Sequence, residues 1–174
     1  LYDNADVIGL ESNLDSKRLE KNEFKVIKLP NWLTAIESLD FSQYNQKLSL
    51  IYAGNVGPAQ GFGRFLTGLK LISSIKYQLK VYGDGEELET IKYDCKVSKL
   101  RQVKFFDQVN QVSLQKILAE SSGGIVLLDP TIKRDIFPGK LLNYLRFGLP
   151  VFAIVGKGSS LNSMINVNKL GICI

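Results

Sequence analysis

Apolar residues in this chain form short continuous runs that alternate with longer stretches of helical spacing. The short runs have the length and content of buried strands, and they lie at residues 48–54, 77–83, 103–107, 123–130 and 150–154, with a last strand at the end of the sequence. The stretches between them repeat their apolar residues every three or four positions, which predicts helices at residues 62–75, 86–97, 112–121, 139–147 and 159–165. In the first of these helices, one apolar face comprises Phe62, Phe65, Leu66, Leu69 and Ile72.

Strands that alternate with helices through short turns predict an α/β fold, a doubly wound, Rossmann-like parallel sheet. Two further strands are predicted at residues 5–10 and 24–30, and residues 31–47 are polar and irregular, as in a connector. Ligands of such sheets bind beyond the carboxyl ends of the strands. The loops at residues 54–61 and 129–139 both follow predicted strands. We therefore expect them to face each other across one crevice.

The second of these loops carries the clearer chemistry. Pro138 suits the first position of a helix, and the unpaired N–H groups of that turn, with Lys140 beside them, form a site for an anion such as phosphate. Asn143 follows one turn later on the same face, and Asp135 could accept hydrogen bonds from hydroxyl groups. The alternative is that Lys140 is an ordinary solvated lysine and that Asn143 is a polar residue with an unrelated partner.

The first loop is rich in glycine, which allows a ligand to approach the main chain closely. Asn55 and Gln60 add neutral hydrogen-bonding groups, but the loop has neither the dinucleotide fingerprint nor a Walker ending. Tight packing of strand against helix explains such glycines equally well. The glycines are Gly54, Gly57 and Gly61.

Composition narrows the function further. The 174 residues carry a net charge of +5 and include no histidine, which excludes Ser-His-Asp and Cys-His catalysis within this chain. The basic residues are dispersed rather than clustered, so nucleic acid is not an expected partner. The two cysteines have no metal-binding or redox spacing. Phe105 and Phe106 fit a buried core better than a stacking platform.

Four segments in this order resemble the nucleotide-sugar-binding C-terminal domain of GT-B-fold glycosyltransferases, in the retaining group 1 (family 4) and its bacterial polysaccharide-biosynthesis branch. They are IYAGNVGPAQGF, VYGDGEELETI, VKFFDQV and FPGKLLNYLRFGLPV. The resemblance covers residues 24–174, which would be a C-terminally truncated donor domain. Residues 1–23 would then be the end of the N-terminal acceptor domain.

The resemblance implies a role for each matched position. Lys140 would contact the donor diphosphate, and Asp135 and Asn143 fall on the two ends of the family's Glu-x7-Glu motif, which faces the donor sugar and the ribose. This sequence departs from the motif, because Asn143 lacks the second carboxylate. Lys140 and Asp135 are thus the expected catalytic residues. The remaining expected donor-binding residues are Gly54, Asn55, Gly57, Gln60, Phe137, Pro138 and Gly139.

The implied activity is hexosyl transfer with retention from a UDP-linked donor to a polysaccharide or lipid-linked acceptor, without a metal or other cofactor. The implied partners are the nucleotide-sugar, the acceptor domain of the same protein and a lipid-linked acceptor at the membrane surface. The implied location is the cytoplasm or the inner membrane face. This chain alone should bind nucleotide but transfer little sugar. Two alternatives stay open: another nucleotide-binding α/β enzyme, such as an NAD-dependent oxidoreductase, and an interaction module without catalysis.

Overall fold

The computed structural model describes residues 7–10, 25–28, 48–72, 75–132 and 136–174. Two short strands, β1 (Ile8–Leu10) and β2 (Val26–Lys28), pair in parallel as a separate two-stranded sheet. The predicted connector at 31–47 lies outside the described residues. The proposed domain boundary between residues 23 and 24 remains a prediction.

The main sheet contains six parallel strands, which confirms the predicted doubly wound fold. Their spatial order is β5-β4-β3-β6-β7-β8, which is the 3-2-1-4-5-6 order of dinucleotide-binding sheets. The order reverses between β3 and β6, so this is the position at which a ligand crevice is expected. The strands are β3 (Leu48–Ala53), β4 (Tyr77–Tyr82), β5 (Val103–Phe106), β6 (Gly123–Leu127), β7 (Val151–Ile154) and β8 (Gly171–Cys173).

Five α-helices cover the two faces of this sheet within the described ranges. Side chains of the first two helices share one buried core, and side chains of the other three share a second core. Neighbouring strand residues alternate between the cores; Tyr52 belongs to the first and Ile51 to the second. The helices are α1 (Phe62–Lys70), α2 (Leu88–Val97), α3 (Gln111–Ala119), α4 (Gly139–Arg146) and α5 (Ser160–Val167).

The helix ends follow local chemistry. The side chains of Asn110 and Ser159 cap α3 and α5. They accept hydrogen bonds from the N–H groups of Ser113 and Asn162, at 2.9 and 3.1 Å respectively. Gly148 follows α4 with φ of 62°, the left-handed angle that glycine adopts most easily.

Two predicted C-terminal ends were wrong by three residues or more. Strand β6 ends at Leu127 rather than at residue 130. Helix α1 ends at Lys70 rather than at residue 75, and Ile72 is exposed instead of lying on the buried face. After Lys70 the backbone hydrogen bonds span three residues instead of four, from the Leu71 N–H to the Gly68 carbonyl and from the Ile72 N–H to the Leu69 carbonyl. This tighter turn ends the helix before the chain reverses to enter β4.

The central pair of strands separates early. Whereas β3 pairs with β4 over six residues, it pairs with β6 only at Leu50–Gly123 and Ile51–Gly124. Beyond Gly124 the two strands form no further residue pairs. Their carboxyl ends are joined instead through the Tyr144 hydroxyl, which bonds Ala53 of β3 and Ile125 of β6. The sheet therefore opens where its strand order reverses.

Candidate functional site

A cleft of about 560 Å³ lies at the carboxyl ends of the central strands. Its walls come from the turns after β3, β4 and β5 and from helices α3 and α4, so it occupies the position expected for a ligand of this fold. Four of the predicted site residues line it: Gly54, Asn55, Lys140 and Asn143. The other lining residues are Ala53, Tyr82, Gly83, Asp84, Gly85, Gln108, Val109, Leu114, Leu118 and Tyr144.

The first predicted loop contacts both helix α4 and the second predicted loop. Gly54 has φ of 137°, and a Cβ placed on it would lie 3.1 Å from both Cε and Nζ of Lys140. On the outer side, the Asp129 N–H donates to the Ala59 carbonyl at 2.8 Å. The cleft is lined by Gly54 and Asn55 of the first loop and by none of the described residues of 129–139, so the expectation that both loops face one crevice remains a prediction.

Lys140 is the main positive charge of the cleft. Its ammonium lies 3.6 Å from the centre of the Tyr52 ring, and burial lowers its pKa to about 7. Among the described residues, the ion pairs are Arg64–Asp129 and Lys92–Glu89, so Lys140 has no carboxylate partner there. A desolvated ammonium beside an open cleft is a group that gains from meeting an anion. The interpretation of Lys140 as a solvated surface lysine is therefore wrong.

Two buried tyrosines frame this lysine. The Tyr52 hydroxyl donates to the Asn55 carbonyl at 2.5 Å. The Tyr144 hydroxyl accepts from the Ala53 N–H at 3.0 Å and donates to the Ile125 carbonyl at 3.3 Å. Burial raises the pKa of both phenols well above the usual value, so both stay neutral at working pH.

The remaining polar groups of the first loop hold the loop itself. The Gln60 amide oxygen accepts from Asn55 Nδ2 at 3.2 Å and from the Gly57 N–H at 3.0 Å. The Val56 N–H donates to the Asp84 carbonyl at 2.8 Å and ties this loop to the turn after β4. Gln60 and Gly57 do not line the cleft, so their predicted contact with a donor is not visible in this arrangement and remains a prediction.

The second loop leads directly into α4. Gly139 is the first helical residue, as in the predicted bounds, and Pro138 is the N-cap rather than the first residue of the helix. The Phe137 side chain packs against the core on the α4 side of the sheet. None of these three residues lines the cleft wall, and Asp135 lies outside the described residues. Their assigned roles remain predictions.

Sequence reasoning missed the aromatic side of the site. Phe106 is 42% exposed, which corrects the expectation that it belongs to the core, and its ring stacks on Tyr82 with centroids 4.7 Å apart. Phe105 is partly buried against the core, as expected. Their position in the sequence could have indicated this, because Tyr52, Tyr82 and Phe106 all lie at or next to the carboxyl ends of strands, where ligands of this fold bind. Within the described ranges, no cluster of His, Cys, Asp and Glu side chains could hold a metal ion.

The strand order and the cleft define a doubly wound domain of the kind found in GT-B glycosyltransferases, and comparisons with known proteins agree. No protein-family model matches the sequence, and no curated protein sequence matches it. Solved structures do match. A variant of S. aureus TarM, in complex with fondaparinux, α-GlcNAc-glycerol and UDP, aligns with a TM-score of 0.72 and 15% identity, covering 97% of this chain and 34% of TarM.

Two other structures align over most of the chain. Anabaena Alr3699/HepE, in complex with UDP-glucose, gives a TM-score of 0.66 at 13% identity, covering 98% of this chain and 50% of HepE. WaaG, a glycosyltransferase involved in lipopolysaccharide biosynthesis, gives 0.65 at 18% identity, covering 95% of this chain and 48% of WaaG. At these identities the likeness shows the fold. The chain spans between about a third and a half of the length of these proteins.

In the part of the chain that the structure describes, no helix is both long and apolar enough to span a membrane.

Proposed function

We propose that this chain is the nucleotide-sugar donor domain of a glycosyltransferase. The observation that carries the proposal is the meeting of Lys140 and Gly54 at the point where the strand order reverses. A desolvated ammonium and an open stretch of main chain, both beside the start of a helix, form a receptor for a diphosphate.

The chemistry asked of these groups is electrostatic. When the bond between the sugar and the diphosphate breaks, negative charge builds up on the departing diphosphate. We propose that the Lys140 ammonium and the N–H groups of the first α4 turn stabilise that charge. Asn143 lines the same wall one turn along α4, and its amide can both donate to and accept from ribose hydroxyls.

The size of the cleft suits a nucleotide. Its volume of about 560 Å³ lies within the usual range of small-molecule sites. The lining also includes Tyr82, Gln108 and Val109, and we propose that this part of the cleft takes the nucleoside. The aligned TarM and HepE structures are complexes with UDP and with UDP-glucose, respectively, and we propose a UDP-linked sugar as the donor.

The finer assignments follow from the sequence resemblance. We propose a family 4 enzyme that transfers a hexose with retention and without a metal. We propose an acceptor that is a growing polysaccharide or a lipid-linked sugar at the cytoplasmic membrane face, bound by an N-terminal domain of the same protein. Asp135 would face the donor sugar. A transfer assay on this chain alone should show little or no sugar transfer, and substantial transfer would contradict the two-domain proposal.

Binding can be tested with a panel of UDP, GDP, ADP, NAD and UDP-sugars, measured by thermal shift and by calorimetry. We expect UDP and UDP-sugars to raise the melting temperature and Lys140→Met to weaken UDP binding by roughly tenfold or more, as for loss of a charged phosphate contact. Lys96→Met is the matched control, because Lys96 is exposed near the end of α2 and does not line the cleft. Binding of NAD without UDP, or of no nucleotide, would contradict the proposal.

A further inference from the structure

One side chain connects the two halves of the candidate donor site. Tyr52 is fully buried near the end of β3, and its ring carries the Lys140 ammonium 3.6 Å from its centre. Its hydroxyl donates to the Asn55 carbonyl, in the glycine-rich loop. Tyr52 thus contacts the cation of helix α4 and the main chain of the glycine-rich loop.

The Tyr52 ring packs in turn against a second aromatic ring. Phe62, at the start of α1, meets Tyr52 edge to face with centroids 4.7 Å apart. The ammonium lies over the face of the same ring. The negative face of an aromatic ring attracts a cation more strongly when the pair is removed from water, and here Tyr52 is fully buried and Lys140 is partly buried.

Lys140 needs such a support because of its chemistry. A lysine side chain has many rotamers, and the ammonium is a strongly hydrated point charge that normally leaves a buried site for solvent. Within the described residues Lys140 has no carboxylate to hold it. The ring of Tyr52 is the group that keeps the ammonium beside Gly54.

We propose that Tyr52 is a positioning residue of the donor site, whose ring holds the Lys140 ammonium and whose hydroxyl fixes the Asn55 carbonyl, so that helix α4 and the glycine-rich loop present their anion-binding groups together. The expected effect of Tyr52 on donor binding rests on the proposed function. The contact between Tyr52 and Lys140 can be measured without any nucleotide. The raised pKa of the Tyr52 phenol keeps the hydroxyl a donor throughout the neutral range.

The test separates the ring from the hydroxyl. Tyr52→Phe keeps the ring and removes the hydroxyl, and Tyr52→Leu removes both. A series of mono-, di- and trifluorinated phenylalanines at position 52 keeps the shape while the attraction for a cation falls stepwise. We expect UDP-glucose affinity, measured by calorimetry, to fall along the fluorinated series and to fall by roughly tenfold in Tyr52→Leu relative to Tyr52→Phe. Phe65→Leu is the packing control, because it removes a ring from the same core and should leave affinity within about twofold of wild type.

A second readout uses the protein without nucleotide. In a sample with labelled lysine, assigned with Lys140→Met, the Cε–Hε signals of Lys140 should be shifted upfield by the Tyr52 ring and should return to ordinary values in Tyr52→Leu. Equal Lys140 signals in wild type and Tyr52→Leu, or a flat affinity along the fluorinated series in a chain that binds UDP-glucose, would overturn the inference. If wild type binds no UDP-glucose, the proposed function fails, and the lysine signals still decide whether Tyr52 holds Lys140.

Discussion

The ring of Tyr144 fills the space that a side chain at Gly124 would need. A Cβ on Gly124 would lie 2.3 Å from Cδ2 of that ring. Gly124 is also the last β6 residue that pairs with β3, and just beyond it the Tyr144 hydroxyl bridges the Ala53 N–H and the Ile125 carbonyl. Tyr144 of α4 thus joins β3 and β6 at the point where their residue pairing ends. It lies one turn after Lys140 on the same helix.

Gly124→Ala should push this ring, and α4 with it, away from the sheet. Overpacking of this kind costs about 1–3 kcal/mol in free energy of unfolding, and the displaced α4 should also weaken UDP binding. Chemical denaturation and calorimetry check the two effects. Gly63→Ala is the matched control, because a Cβ at Gly63 meets no atom within 4 Å; it should be neutral or stabilising. Equal stability of the two variants would show that Tyr144 does not depend on Gly124.

Tyr144→Phe should keep the packing and lose the bridge. It leaves the Ala53 N–H and the Ile125 carbonyl without their hydroxyl partner in a buried place, a loss of about 1–3 kcal/mol in unfolding free energy. Tyr77→Phe is the comparison, because the Tyr77 hydroxyl accepts from Gln102 at the opposite end of the sheet. Both variants should lose stability, but only Tyr144→Phe should also weaken UDP binding. A loss of binding in Tyr77→Phe as well would indicate a general effect of stability.

The fold could be predicted from the sequence because most strands and helices are marked by local sequence signals. Buried runs such as residues 123–127 and the caps at Asn110 and Ser159 depend on near neighbours, so pattern and end signals agree. The end of α1 could not be read in this way. Leu71 and Ile72 continue the apolar spacing, yet the chain turns there to reach β4, and they are exposed.

The site was only half predictable, for a physical reason. Lys140 and Gly54 were recognisable because a charge and a glycine after buried strands are unusual on their own. Tyr52 and Tyr144 look like ordinary core residues in the sequence, and their roles depend on partners 88 and 91 residues away, Lys140 and Ala53 respectively. Gln60 shows the converse, since its polar group holds the loop instead of lining the cleft.

Gly54→Ala should damage the site with little damage to the fold. Its φ of 137° strains any other residue, and the added Cβ would lie 3.1 Å from Cε and Nζ of Lys140, so the ammonium must move. Gly158→Ala separates the two effects, because Gly158 also has a positive φ, of 81°, but a Cβ there meets no atom within 4 Å. We expect both variants to be destabilised by about 1 kcal/mol or more. Only Gly54→Ala should weaken UDP binding, by roughly tenfold; unchanged binding in that variant would contradict the site.

The depressed pKa of Lys140 makes stability depend on pH in a defined direction. Lys140 titrates near 7 in the folded chain and near 10.5 when unfolded. Between these values the unfolded state binds more protons, so stability relative to Lys140→Met should rise as pH increases from about 7 to about 10.5. Below about 7 the cost of the buried charge is fully present and the difference should level off. Denaturation of both proteins across pH 6–10 measures this, and a difference that does not change with pH would contradict it.

The same group should couple donor binding to proton uptake. A bound diphosphate gives the Lys140 ammonium a partner of opposite charge, which raises its pKa from about 7 toward the usual lysine value. At pH 8.5, UDP-glucose binding should therefore take up close to one proton, whereas at pH 6 it should take up almost none. Calorimetry in buffers with different ionisation enthalpies measures this number, and Lys140→Met should reduce it to zero. Affinity should also fall as pH rises above about 7, by up to about tenfold per unit. Heats that are independent of the buffer at pH 8.5 would mean that the diphosphate does not bind against Lys140.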